Sequence, residues 1–208
     1  MEEKRMNEQE SLALISQMIE STKEKLEVGA GNLFLVYGYT ATLLSVLVWL
    51  LVDSTGNNAW SSLWFLMFLP MVVVSIKQRN QKESVVSYTD RALGSVWKVV
   101  GMLFVLSVLV LFALLFFTGK TNGVVMQPLS LVYAGIGTSI TGILLKEKSL
   151  VYTPCVAFAL AVYMLNVYAV GGAYDVSWQL YFGGAFLCMM VVPGHILNAK
   201  SKRRCSKN

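Results

Sequence analysis

The twenty residues VVGMLFVLSVLVLFALLFFT, Val99 to Thr118, decide the fold, because they contain neither a charge nor a proline. Wound as an α-helix with a rise of ~1.5 Å per residue, they reach about 30 Å, the thickness of a bilayer's hydrocarbon core. A water-soluble domain could bury such a run only inside a large core, and a chain of 208 residues is too short to build one. The sequence therefore reads as a membrane protein.

Composition points the same way. The chain is 55% hydrophobic and 14% charged, with a mean hydropathy of +0.58, whereas soluble domains carry roughly 25% charged residues. Outward from 99–118, five further apolar runs are long enough to count as spans. The six together lie at about 33–52, 60–76, 99–118, 128–145, 150–170 and 178–197. Asp53 and the Ser-Thr-Gly-Asn-Asn run close the first span with a short turn. Trp60 and Trp64 open the second, at the depth where aromatic belts sit, and Pro70 is expected to kink it. Pro128 starts the fourth span, and Lys146-Glu147-Lys148-Ser149 turns the chain into the fifth.

Six crossings put both termini on one side, and the basic residues indicate which. Of the 17 lysines and arginines, all but Lys120 fall on the side of the termini: in the N-terminal arm, in loop 77–98, in the turn at 146–148 and in the tail. Such a bias marks the cytoplasmic side. The expected fold is all-α: a polytopic six-helix membrane bundle with cytoplasmic termini and an amphipathic cytoplasmic N-terminal helix. It divides into an arm at 1–31, the bundle at 32–198 and a basic tail at 199–208.

In the arm, Asn7-Glu8-Gln9-Glu10 has the form of a capping box. Leu12, Ile15, Ile19 and Leu26 recur at helical spacing and form one apolar stripe. The other face carries Glu8, Glu10, Glu20, Glu24 and Glu27 against only Lys23 and Lys25. Membrane-surface helices place basic residues there instead, so this stripe is expected to dock on protein, either the chain's own bundle or a partner. Gly29-Ala30-Gly31 is expected to end the helix and act as a hinge. The arm lacks the basic start and short apolar core of a signal peptide.

Inside the bundle the fourth span stands out. Gly135, Thr138, Ser139 and Gly142 belong to a run of small-xxx-small pairs, which lets helix backbones approach closely in lipid. The run is read as a packing face, internal or between two copies, with a hydroxyl-lined pathway as the sharper alternative. Tyr163 and Asn166 in the fifth span are read as interhelical packing or a ligand contact. No charged residue lies within a span, which removes the usual mark of ion-coupled transport. Ser139 and His195 would be the nucleophile and base of an intramembrane protease, but their positions along their spans differ by roughly 9 Å in depth. Cys155, Cys188 and Cys205 are scattered and show no metal-ligand or disulfide spacing. No cofactor, metal or catalytic residue is expected, and the chain is read as a non-enzyme.

Three segments carry a resemblance: NEQESLALISQMIESTKEKLEVGAGNLFLVYGY at 7–39, NNAWSSLWFLMFLP at 57–70 and SYTDRALGSVW at 87–97. In these the chain resembles a family of small uncharacterised multi-span membrane proteins from bacteria of the Bacteroides group. The resemblance covers the first half of the chain. It implies a bacterial inner-membrane location and adds no site residues.

The functional expectation is an accessory, regulatory or assembly protein. It would act through protein contacts of the N-terminal helix and through the small-residue face of the fourth span. Its expected partners are membrane lipid, a second copy, and a cytosolic or membrane protein; nucleic acid is not among them. A transporter or channel for a neutral or weakly polar solute is the alternative, and a membrane-embedded enzyme the remote third.

Overall fold

The computed structural model describes residues 8–70, 72, 88–120 and 122–205, and the described residues contain helices and no strand. Helix α1 runs Glu8–Thr55. A 3-10 segment follows at Asn58–Phe68, then α2 at Tyr88–Thr118. After a 3-10 turn at Gly123–Val125 come α3 at Met126–Leu145, α4 at Lys148–Tyr152 and α5 at Pro154–Ala169. The last stretch is α6 at Trp178–Phe186, a π-helical turn at Leu187–Val191 and α7 at Val192–Cys205.

Five of these stretches are long and apolar enough to cross a membrane: Gly31–Thr55, Arg91–Thr118, Gly123–Leu145, Lys148–Ala169 and Trp178–Lys200. Within the Arg91–Thr118 stretch, the most apolar 18 residues have a mean hydropathy of 3.0 and only 6% of them are buried. Met102, Leu106, Leu109, Phe116 and Phe117 all face outward. An apolar surface of that extent is stable against lipid and not against water.

The second expected span, 60–76, is not one α-helix. Asn57 caps the segment by accepting a hydrogen bond from the Ala59 N–H, and the chain then winds as a 3-10 helix through Phe68. Pro70 supplies a local reason. It has no N–H to send to the Leu66 carbonyl, and Leu69 takes that acceptor with a tighter bond. Most of the span beyond Pro70 lies outside the described residues.

The expected hinge at Gly29–Gly31 is also corrected, because α1 passes through it unbroken. The glycine serves close packing. A Cβ on Gly31 would strike the Asn198 side chain and come 3.2 Å from the Gly194 carbonyl. Seven residues on, a Cβ on Gly38 would lie 2.6 Å from Val191 Cγ2. After a further seven, Ser45 occupies the space that a side chain on Gly183 would need. Seven buried positions of α1, Gly31, Phe34, Gly38, Ala41, Ser45, Val48 and Val52, alternate steps of three and four, with Leu44 buried beside them; this is the spacing of a left-handed helix pair. Along this seam α1 packs on α6, the π turn and α7.

The π turn lies just before Pro193, which cannot donate to the carbonyl four residues back. The wider register, with Val192 N–H bonded to Leu187 O, absorbs that loss without breaking the helix. Pro154, at the first position of α5, divides the fifth expected span into α4 and α5. Helix α3 sits between α2 and α5, while the last helical stretch sits between α1 and α5.

The seam makes a testable contrast. Gly38→Leu should lower the midpoint of thermal unfolding in detergent, by an overpacking cost of about 1–3 kcal/mol. Gly101→Leu, at a position with nothing within 4 Å of an added Cβ, should leave the midpoint unchanged.

Candidate functional site

Several buried hydroxyls in this bundle bond within their own helix, Ser107 and Tyr133 share a 2.9 Å hydrogen bond between α2 and α3, and other polar groups gather at the bundle's ends. On α3, Thr138 is fully buried, and its hydroxyl donates to the Ala134 carbonyl at 2.8 Å. Thr141 donates to Gly137 O at 2.8 Å and accepts the Trp97 indole N–H at 3.2 Å. Ser130 donates to Met126 O, and on α1 Thr42 donates to Gly38 O. Each hydroxyl thereby meets its need on the preceding turn of its own helix. The small residues are likewise used inside the chain. Gly135 receives the ring of Phe158, Gly137 faces Val100 and Trp97, and Gly142 lies against Leu150 and Val151. Ser139 is partly exposed.

Tyr163 and Asn166 on α5 are not drawn into this group. Tyr163 is 49% exposed, with its ring centroid 6.4 Å from that of Trp178. Asn166 is exposed. In the arm Leu12 is 64% exposed, while the side chains of Ile15, Ile19 and Leu26 lie outside the described residues.

At one end of the bundle a buried amide ties three segments together. Gln179 accepts the Trp64 indole N–H at 3.0 Å and donates to the Tyr174 hydroxyl at 2.9 Å. Trp64 also packs edge-on against Phe182 at 4.8 Å. Beyond the membrane stretches, Asp175 accepts from the Ser177 hydroxyl and N–H, which holds its carboxyl below the usual range.

The opposite end is the richer one. Phe34 and Trp97 meet edge-on at 5.8 Å, which brings the start of the apolar part of α1 beside the start of α2. Asn198 donates to Asn32 at 2.9 Å, and Tyr39 shares a 2.8 Å hydrogen bond with His195 Nε2. The turn between α3 and α4 closes with Lys146 in the left-handed conformation, φ 55°. Lys146 N–H bonds Ile143 O at 3.2 Å, and Glu147 N–H bonds Gly142 O at 2.8 Å. Glycine usually fills such a position, because a side chain there is strained. Glu147 then accepts the Ser149 hydroxyl at 3.1 Å and the Lys200 ammonium at 2.6 Å, joining the α3–α4 turn to α7. Partial burial, the largest influence, pushes the Glu147 carboxyl up. The Lys200 and Ser149 hydrogen bonds and the Lys200 charge outweigh it, and the carboxyl is held below its usual value.

Among the described residues no three His, Cys, Asp or Glu side chains come together as a metal site. No family model, curated protein or solved structure matches the chain.

Sequence reading did not single out Gln179, Tyr174, the Tyr39–His195 bond or the Glu147–Lys200 pair. One signal was present: Gln179 is an amide one residue inside an apolar run that opens with Trp178.

Two outcomes follow. In a variant lacking the native cysteines, Thr138→Cys should resist a water-soluble maleimide, since that side chain is fully buried; rapid labelling would reveal a wet pathway. Glu147 contributes stability above the ordinary carboxylate value of about 4.5, and the contribution disappears as pH falls through the lower folded-state value. Glu147→Gln should therefore cost about 1 kcal/mol or less at neutral pH and show a smaller loss of stability on acidification than the parent chain.

Proposed function

We propose that this chain is a non-enzymatic bacterial inner-membrane protein that acts by contact, in an accessory, regulatory or assembly role, with the N-terminal part of α1 as its docking element. The observation that carries the reading is the continuity of α1. A helix of 48 residues measures about 72 Å, so the part before Gly31 reaches about 35 Å beyond the apolar stretch as one piece with it. Leu12, 64% exposed, belongs to the stripe with Ile15, Ile19 and Leu26. An apolar stripe flanked by glutamates on an extramembrane helix suits the groove of a protein partner.

The topology belongs to the same proposal: six crossings with both termini cytoplasmic. The Phe34–Trp97 contact supports it, because the chain leaves α1 at the far end and must return before α2 begins. Arg91, Lys98, Lys146, Lys148 and Lys200 then share one end, and Lys120 stands at the other, as the bias of basic residues toward the cytoplasm requires. With the small residues of α3 packed against Val100, Phe158 and Leu150, contact with other proteins falls to the arm.

The test is purification of the full chain from its native membrane in mild detergent, followed by mass spectrometry of what accompanies it. A stoichiometric protein should co-purify with the parent chain and be lost from Ile15→Asp while membrane insertion stays unchanged. A partner that follows both chains equally would overturn the assignment to the arm.

A further inference from the structure

We propose that the groove between the end of α3 and the start of α4 is a binding site for the phosphate headgroup of an anionic phospholipid. The groove has a volume of about 260 Å³. Its rim and its wall differ in character. The rim carries Lys146 and Lys148, both exposed. The wall is apolar: Ile143 is 64% exposed and Tyr152 68% exposed, with Val151 between the helices.

The acid at this rim does not cancel the two lysines. Glu147 is bonded to Lys200 at 2.6 Å and to Ser149, so its charge is met from α7. Among the described residues neither Lys146 nor Lys148 has an ion-pair partner. Two exposed lysines thus line an apolar cleft at the turn between the Gly123–Leu145 and Lys148–Ala169 stretches. A phosphate carrying acyl chains satisfies both halves at once, with its charge on the lysines and a chain along Ile143, Val151 and Tyr152. A free phosphate would leave the apolar wall bare. The floor is set by Gly142, where a Cβ would come within 2.7 Å of the Val151 backbone nitrogen and force the two helices apart.

Lys146 adds an independent observation. It occupies a left-handed position, φ 55°, that glycine would fill with less strain. A lysine there lines the groove from a backbone position that strains any residue with a Cβ. The same strain supplies a clean variant, since Lys146→Gly removes the charge while easing the turn.

The inference rests on the membrane-embedded reading and not on the arm. The test uses the full chain reconstituted in phosphatidylcholine vesicles with a minor fraction of spin-labelled phosphatidylglycerol. The label should be immobilised by the parent chain in preference to labelled phosphatidylcholine. The double variant Lys146→Gly/Lys148→Gln should lower that preference on the order of 10- to 30-fold, since each lysine near the surface contributes several-fold. Lys120→Gln, at the other end, should leave it unchanged. Equal preference in parent and double variant overturns the site. Displacement of the label by inorganic phosphate in the buffer overturns the lipid as occupant. Release of the chain from vesicles by alkaline carbonate would instead overturn the membrane reading itself.

Discussion

Between helices in lipid there is no hydrophobic force, because the acyl chains are as apolar as leucine. What holds this bundle together is therefore close approach of backbones, and the seam between α1 and the last helical stretch depends on it most. Gly31, Gly38 and Ser45 stand seven residues apart and meet Gly194, Val191 and Gly183 in turn. Each is a place where one more carbon would collide with a neighbour. The seam joins the first membrane stretch to the last, so it closes the bundle on itself. The π turn at Leu187–Val191 belongs to the same constraint, since Gly38 packs against Met190 and Val191 within it.

The second constraint is the cost of an unsatisfied polar group in hydrocarbon. The chain meets it in three ways, one of them the Ser107–Tyr133 bond between α2 and α3. Serines and threonines on α1 and α3 donate to carbonyls on their own helix, and this leaves their small size available for packing. Side chains with more to satisfy, such as Gln179, His195 and Glu147, bond across segments near the ends of the apolar stretches. The result is a middle with few polar bonds between helices and structured polar ends, and that distribution moves functional interest from the centre of the bundle to its surfaces.

The two surfaces of interest differ in kind. The N-terminal part of α1 is a long helix with glutamates and an apolar stripe, suited to a protein groove. The α3–α4 turn is a compact cationic rim over an apolar cleft, suited to lipid. Both belong to the same end as Trp97 and Lys200, and the Glu147–Lys200 pair joins the turn to α7.

Run length and the absence of charge were enough, from the residues alone, to establish an all-helical chain with helices fit for a bilayer. That signal is local: each such stretch must satisfy its own backbone in hydrocarbon, so twenty apolar residues have one outcome. The small residues of the fourth run were legible for the same reason. Their partners were not, because Phe158 against Gly135 or Leu150 against Gly142 depends on how two helices face each other, which composition does not encode. Gly31 read as a hinge on local grounds, since glycine ends helices in water. Only the packing of α1 against Asn198 and Gly194, more than 160 residues away, turned it into a contact glycine. The lysine turn was visible as a turn, but its free charge was decided by tertiary structure. Glu147 could have neutralised either neighbour, and it is the arrival of Lys200 from α7 that leaves Lys146 and Lys148 facing outward.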